Sequence, residues 1–274
     1  MTPAQPTAAA HPDCSVRSPW LLLLHYWLPL GLGWSLAMVM QHRSGAAFSA
    51  EGLTLLLGGI GSAYSLDRLL DRPASGYPRW LWWTLCIGFA GFGGATAWAM
   101  LRMPLLTVEV AGLLALATLA YPWLKRFPLL KTVTVALAWT SAAALFPFCQ
   151  PGAWTETSLR NSFPWDVTLP LFLLLAAACV LCDLKDLEED RLKAVFSLPN
   201  LCGIAWACRI AAALALAGSF LASWNGRLAL LVAGGLLALL AQFPSLLRRK
   251  AIGPMMVDAV LIVPGVLLLL GGGV

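Results

Sequence analysis

Two groups of aspartates stand out in this 274-residue chain, in which only 11% of the residues are charged. Asp67 and Asp71 lie four residues apart in the stretch YSLDRLLDR, and Asp183, Asp186 and Asp190 follow one another in CDLKDLEEDR. On a helix, these spacings place each group along one stripe. Like charges in such a stripe repel one another unless a cation lies between them, so both stripes are candidate metal sites.

The side-chain chemistry favours a hard divalent cation. Mg²⁺ in particular is bound by one or two carboxylates together with the phosphates of a substrate. All five aspartates are therefore predicted metal ligands, and two facing stripes would hold a Mg²⁺-bridged diphosphate whose leaving-group charge the ion neutralises. Four of them are the predicted catalytic residues: Asp67, Asp71, Asp186 and Asp190.

A basic segment supplies partners for phosphate oxygens. The stretch YPWLKRFPLLK at 121–131 carries three cationic side chains, and arginines also stand beside the aspartates. Arginine suits bidentate contacts with phosphate, and lysine acts as a point charge. The predicted diphosphate-binding residues are Arg68, Arg72, Lys125, Lys131 and Arg191. Charges at helix ends are also typical of the solvated edge of a membrane bundle, so the interpretation depends on all three groups sharing one face.

The elements that would position these groups are transmembrane helices. Hydrophobic residues make up 59% of the chain, and segments of about 20 apolar residues, long enough to cross a bilayer, recur along it. The predicted fold is an all-α integral membrane bundle of nine transmembrane helices, a single domain at 19–272 after a disordered tail at 1–18. The predicted spans are 19–40, 46–66, 79–101, 104–122, 128–149, 165–182, 199–222, 227–247 and 252–271.

The cationic side chains are distributed unevenly between the two sides of such a bundle. The N-terminal tail and every second loop hold thirteen lysines and arginines, whereas the opposite loops hold four. By the positive-inside rule, the richer face is cytoplasmic, with the N-terminus inside and the C-terminus outside. Both aspartate groups and the basic segment fall on that inner face. We therefore expect a multi-pass protein of a membrane such as the bacterial plasma membrane.

These motifs resemble those of the UbiA superfamily of intramembrane prenyltransferases. The segment 183–191 (DLKDLEEDR), followed by SLP at 197–199 and Gly203, is similar to the second aspartate motif of chlorophyll synthase and of the archaeal geranylgeranylglyceryl phosphate prenyltransferases. Tyr121 and the following Leu-Lys at 124–125 match a family motif after the fourth helix. The resemblance covers about 20–271 and implies Mg²⁺ as cofactor and an isoprenyl diphosphate donor. It also implies a hydrophobic aromatic or lipid acceptor that captures an allylic cation, with membrane lipid and no nucleic acid as further partners.

The first aspartate motif departs from the family pattern. Ala63 and Tyr64 stand where the family has Asn-Asp, and Glu189 stands where it has glycine. A phenol with a pKa of about 10 is a poor Mg²⁺ ligand. Two alternatives therefore stay open: a UbiA-like membrane protein without prenyl transfer, such as a transporter or scaffold, and a family member that uses another diphosphate donor.

Arg209 and Asp258 are ionisable residues inside predicted spans. An ionised side chain at the centre of a bilayer costs about 2.5 to 3.5 kcal/mol or more, so such residues are expected to be paired or functional. The sequence predicts an ion pair between the two, with a role in a cavity or an ion path as the alternative.

Overall fold

The computed structural model describes residues 19–44, 48–70, 78–124, 127, 129–146, 164–192, 195–249 and 252–271, with no strand among them. A helix overlaps each of the nine predicted segments within this part of the chain. The predicted all-α class is therefore confirmed for the described residues. The predicted tail at 1–18 lies outside them.

Nine longer helices and three short ones make up the described fold. The longer ones are α1 Pro19–Ser44, α2 Ala50–Leu70, α3 Arg79–Met100, α4 Leu105–Leu124, α5 Leu130–Leu145, α6 Trp165–Asp183, α9 Ile204–Trp224, α10 Leu228–Leu240 and α12 Ile252–Leu269. The short ones are α7 Leu187–Leu192, α8 Leu198–Cys202 and α11 Pro244–Leu247. By length and composition, three segments of the described chain can cross a membrane: Trp165–Leu192, Ile204–Trp224 and Ile252–Leu269. The count of nine crossings stays a prediction.

Helix α6 is the central element of the bundle. It packs against α5, α9, α10 and α12, and Val167, Leu171 and Leu174 on it are completely buried. The face of α9 that meets it is built from small residues, which let helix backbones approach closely. A Cβ atom on Gly218 of α9 would lie only 3.0 Å from the carbonyl oxygen of Pro170. Tight packing of this kind fixes the position of the residues at both ends of α6.

Helix α1 joins the first and last parts of the bundle. It packs on α2 on one side and on α12 on the other. The Ser35 hydroxyl lies 3.1 Å from the carbonyl oxygens of Leu261 and Ile262 and accepts the Gly265 N–H at 2.9 Å. A Cβ atom on Gly265 would lie 2.6 Å from the Cα atom of Ser35. Only glycine therefore fits at position 265, where α1 and α12 cross.

Helices α2 and α3 form a second close pair. A Cβ atom on Gly58 would lie 2.6 Å from the Thr96 Oγ1 atom, and one on Gly61 would lie 2.5 Å from the Phe92 ring. The glycines of α2 therefore let that helix lie directly against Phe92 and Thr96 of α3. Asp67, at the C-terminal end of α2, takes its position from this pair.

Two predicted segments are broken in the structure. Gly203, with φ of 83°, separates α8 from α9 inside the predicted span 199–222. This backbone conformation is open to glycine and ends a helix. The predicted span 227–247 ends as a long helix at Leu240 and resumes as α11 at Pro244, because proline lacks the N–H needed to continue a helix.

Large apolar side chains cover much of the outer surface. On α4, Leu113, Leu116 and Leu119 are 58% to 65% exposed, and on α9 Leu216 and Phe220 are 55% and 62% exposed. Soluble monomers rarely expose contiguous apolar surfaces of this kind. These faces are suited to contact with lipid chains.

Candidate functional site

The second aspartate group lies where α6 ends. Asp183 is the last residue of α6, Asp186 closes a 3₁₀ turn at Leu184–Asp186, and Asp190 lies in α7. The three aspartates were predicted on one continuous α-helix, but a 3₁₀ turn separates α6 from α7. Such turns within helical segments often mark functional sites. Asp183 and Asp190 converge on one partner, whereas Asp186 lies 3.8 Å from the Nζ atom of its neighbour Lys185.

The partner shared by Asp183 and Asp190 is Lys131, in the first turn of α5. Its Nζ atom lies 2.8 Å from Asp183 Oδ1 and 3.3 Å from Asp190 Oδ2. The three side chains are only 13%, 7% and 10% exposed. The structure therefore brings a predicted phosphate-binding lysine into direct contact with two predicted metal ligands. Their assigned roles stay predictions.

The backbone before Lys131 is unusual. Leu129, the residue before α5, has φ of 62°, and it is the single non-glycine residue with positive φ in the described part of the chain. The left-handed conformation costs an L-amino acid roughly 1 to 2 kcal/mol. The turn at Leu129 sets the direction in which α5 begins, and Lys131 follows two residues later.

One oxygen of this cluster has no partner. Asp183 Oδ2 is buried without a hydrogen bond, and so is the Oγ atom of Ser197, in the segment that leads from α7 into α8. Buried acceptors are almost always hydrogen-bonded, so an orphaned carboxylate oxygen points to a missing cation, water or ligand. The donor set, oxygen atoms of carboxylates, fits Mg²⁺. Within the residues described, no group of three or more His, Cys, Asp or Glu side chains could hold a metal ion by itself. Phosphate oxygens and water would have to complete the coordination.

Tyr121, near the end of α4, connects the two aspartate groups. Its phenol interacts electrostatically with Lys131 and Asp183 of the second group and with Asp67 of the first. Asp67 is exposed at the end of α2, and Arg68 beside it is half-buried. Asp67 of the first group and Asp183 of the second therefore both lie near Tyr121. Three predicted site residues lie outside the described residues: Asp71, Arg72 and Lys125.

Tyr64, which stands where the family has an acidic residue, points into the bundle. Its ring packs edge-on against Trp139 of α5, with ring centroids 6.4 Å apart and an interplanar angle of 65°. Edge-to-face packing is a favoured arrangement for aromatic pairs. The position that is acidic in the family is therefore occupied here by an aromatic side chain that packs on α5.

The predicted ion pair between Arg209 and Asp258 is wrong. The guanidinium of Arg209 lies over the Trp206 ring, 5.0 Å from its centroid, on the exposed side of α9. Helix α9 packs on α6 and α10, whereas α12, which carries Asp258, packs on α1, α6 and α10. Helices α6 and α10 therefore separate the two side chains. Asp258 instead interacts electrostatically with Lys185, and it acts in turn on Tyr64. Sequence reasoning missed this link between the last helix and the two aspartate groups.

Arg191, a predicted phosphate-binding residue, contacts the short helix α8 that follows along the chain. Its Nε atom donates to the Asn200 side-chain oxygen at 3.1 Å, and the Asn200 amide donates to the Val195 carbonyl oxygen at 3.3 Å. Glu188, also in α7, lies 3.3 Å from Arg248. Sequence spacing gave no signal for these contacts, because the partners lie 9 and 60 positions apart and outside the same helix. These surface contacts connect α7 with α8 and with the residue that follows α11.

The ion pairs place charges predicted on the inner and outer faces at opposite ends of α6. Lys131 and Arg248, both predicted on the inner face, contact acidic residues of the segment 183–190. Arg227, predicted on the outer face, lies 3.4 Å from Asp166 at the opposite end of α6. The predicted alternation of loops is therefore consistent with the packing. Which face is cytoplasmic stays a prediction.

Comparisons with known proteins agree with this architecture. Residues 76–251 match the UbiA prenyltransferase family. A solved apo structure of a UbiA homolog from Aeropyrum pernix K1 superposes with a TM-score of 0.65 over 90% of this chain and 98% of that one, at 16% identity. This similarity shows a shared fold. No curated protein sequence matches the chain. The match over most of the chain identifies it as a member of the UbiA prenyltransferase family.

Proposed function

We propose that the protein is a Mg²⁺-dependent prenyltransferase that moves an isoprenyl group from an isoprenyl diphosphate to a hydrophobic acceptor. The observation that carries the proposal is the buried cluster at the end of α6, with its unpaired Asp183 Oδ2 atom. Family membership supports the reaction class. The second motif, which resembles that of enzymes acting on chlorophyllide and glycerol lipids, supports a lipid-like acceptor.

In this proposal Asp183, Asp186 and Asp190 hold the metal ion on one wall, and Asp67 and Asp71 complete the other wall. Bound Mg²⁺ would neutralise the charge that develops on the diphosphate as it leaves. Arg68, Arg72, Lys125, Lys131 and Arg191 are the proposed contacts to phosphate oxygens. The ammonium of Lys131 has three donors, of which two are directed at Asp183 and Asp190, so that one remains for a phosphate oxygen.

The chain supplies the environment for the transfer itself. When the bond between the prenyl carbon and the diphosphate oxygen breaks, both electrons stay with the diphosphate and an allylic cation remains. An acceptor atom then forms the new bond and loses its proton. Aromatic rings stabilise such cations through their π faces, and Tyr64 and Trp139 line the bundle beside the site. Apolar walls exclude water, which would otherwise capture the cation.

The proposal includes the membrane arrangement. It places nine spans in one domain at 19–272, the aspartate groups on the cytoplasmic face, the N-terminus inside and the C-terminus outside, in a membrane such as the bacterial plasma membrane. The lipid-facing side chains of α4 and α9 support a membrane position. Cysteine accessibility at residues 160 and 193, which are predicted on opposite faces, would test the orientation in intact cells.

A direct assay tests the reaction. The purified full chain in lipid nanodiscs is incubated with Mg²⁺, a series of prenyl diphosphates of different chain length and a lipid extract, and pyrophosphate release and prenylated lipids are measured. We expect release that depends on Mg²⁺ and on Asp186. If no prenyl diphosphate is bound or consumed, the protein is a UbiA-fold scaffold or transporter, or uses another diphosphate donor.

A further inference from the structure

The second aspartate cluster already contains cations of its own. Three carboxylates, those of Asp183, Asp186 and Asp190, lie beside two ammonium groups, those of Lys131 and Lys185. A stripe of bare carboxylates would carry three negative charges, but here the net local charge is only minus one. The electrostatic need for divalent cations is reduced accordingly.

The two lysines differ in how they are held. Lys131 bridges two carboxylates that lie on other helices, Asp183 on α6 and Asp190 on α7, and it is 13% exposed. Lys185 contacts one carboxylate, its neighbour along the chain, and is 24% exposed. An ammonium held by two buried carboxylates is poorly screened by solvent and salt. The strained turn at Leu129 fixes the helix start from which Lys131 reaches the cluster. Lys131 is therefore built into the cluster, and Lys185 belongs to its rim.

We propose that Lys131 is a resident cation of the site: its ammonium takes the position between Asp183 and Asp190 that a divalent ion would otherwise take. This inference rests on the proposed function, in which the cluster binds metal ion and diphosphate. In this inference the metal ion binds the carboxylate oxygens that do not contact Lys131, among them the unpaired Asp183 Oδ2. The protein would then bind its substrate with fewer divalent ions than five aspartates suggest.

Metal binding to variants tests the inference without an activity assay. The full chain is titrated in nanodiscs with Mn²⁺, and the free ion is counted by its electron paramagnetic resonance signal. Lys131→Gln is expected to bind Mn²⁺ about tenfold more tightly than the wild type, because a unit positive charge close to the carboxylates is removed. The matched control is Lys185→Gln, which removes the same charge from the rim and should gain less than about threefold. Lys131→Arg, which keeps the charge, should bind as the wild type does.

Three results would overturn the inference. They are an unchanged affinity in Lys131→Gln, an equal gain in both glutamine variants, and a gain in Lys131→Arg as large as that in Lys131→Gln. The test separates the inference from the proposed function. A gain in Mn²⁺ affinity without prenyl transfer would leave the inference standing, whereas transfer without the gain would leave only the proposed function.

A second measurement uses the wild type alone, because Lys131→Gln leaves two buried carboxylates unpaired and is at risk of misfolding. Reductive methylation of each lysine is followed by peptide mass spectrometry, with and without saturating Mg²⁺. A resident Lys131 stays protected in both conditions, while Lys185 serves as the reactive reference. If Mg²⁺ raises the labelling of Lys131 to the level of Lys185, the metal ion displaces the lysine and the inference is wrong.

Discussion

The second aspartate group and Asp67 of the first differ in how the protein surrounds them. The side chains of Asp183, at the end of the central helix, and of Asp190, in α7, are only 7% and 10% exposed, with Lys131 between them. Asp67 is exposed at the end of α2, a helix that packs on α1 and α3 towards one side of the bundle. A buried charge must be compensated within the protein, whereas an exposed one is compensated by water. The second group is therefore preorganised by its protein partners, whereas Asp67 lies in a more solvent-accessible setting.

The largest expected effect separates the two groups by activity. Asp186→Asn should lower prenyl transfer about a thousandfold, or about 4 kcal/mol in activation free energy, since it removes charge directed at the reacting diphosphate. Asp186 is only partly buried and lies outside the Lys131 bridge, so folding should be preserved. Asp67→Asn should cost about tenfold, which is about 1.4 kcal/mol. Rates of pyrophosphate release measure both.

A control variant is available in the same segment. Glu188 is an exposed acidic residue paired with Arg248, and Glu188→Gln should leave the rate within about twofold of the wild type, as surface pairs contribute little. Equal losses in the Asp186 and Glu188 variants would show that the segment responds only to its total charge.

The next effect concerns stability. Asp183→Asn should lower the free energy of unfolding by about 3 kcal/mol, because it breaks a buried ion pair and leaves Lys131 less compensated. Asp67→Asn, at an exposed position, should change it by no more than about 0.5 kcal/mol. Thermal unfolding in nanodiscs measures the difference. Similar melting temperatures for the two variants would contradict the distinction between a packed group and an exposed one.

Asp258, on α12, provides a third carboxylate whose effect on stability can be compared with those of Asp183 and Asp67. It lies inside the bundle, influences Tyr64 of α2 and is influenced by Lys185, and among the described residues it forms no ion pair within 4 Å. Asp258→Asn should therefore raise stability by about 1 kcal/mol, because a neutral amide is less costly to bury than an unpaired carboxylate. A loss of that size would reveal a structural partner for the carboxylate. The unfolding experiment used for Asp183 provides the measurement.

The smallest effect is expected at Tyr64. Tyr64→Phe keeps the ring that packs on Trp139 and removes only the hydroxyl, so stability should change by less than about 0.5 kcal/mol and metal binding should not change. Mn²⁺ titration alongside the unfolding experiment checks both. A clear loss of Mn²⁺ affinity would mean that the phenol has replaced the missing acidic ligand of the first group.

Much of the fold could be predicted from the sequence. Long apolar segments must be helical in a bilayer, and a helix overlaps each of the nine predicted segments in the described chain. The breaks at Gly203 and before Pro244 were missed, because a glycine or proline inside an apolar segment is also common in unbroken membrane helices. Only the backbone conformation, such as the φ of 83° at Gly203, distinguishes the two cases.

The candidate site was predicted less completely. Aspartate spacing indicated stripes on helices, and the shared influence of Asp67 and Asp183 on Tyr121 is consistent with a common face. Spacing along one helix carries no information about which cation from another helix will meet it. The Lys131 bridge was therefore not predicted, and Arg209 and Asp258 were paired wrongly because both are ionisable residues inside predicted spans. Helix order within the bundle decides both, and it becomes visible only in three dimensions.

The hydrogen bond from the Gly265 N–H to the Ser35 hydroxyl has a consequence for biogenesis. Its two partners are separated by 230 positions in the chain, and proteins are synthesised from the N-terminus at roughly 5 to 20 residues per second. Helix α1 must therefore wait in the membrane for tens of seconds before its final neighbour leaves the ribosome. Until then the face of α1 that carries Ser35 lacks its α12 neighbour, and the contact between α1 and α12 forms only after most of the chain has been synthesised.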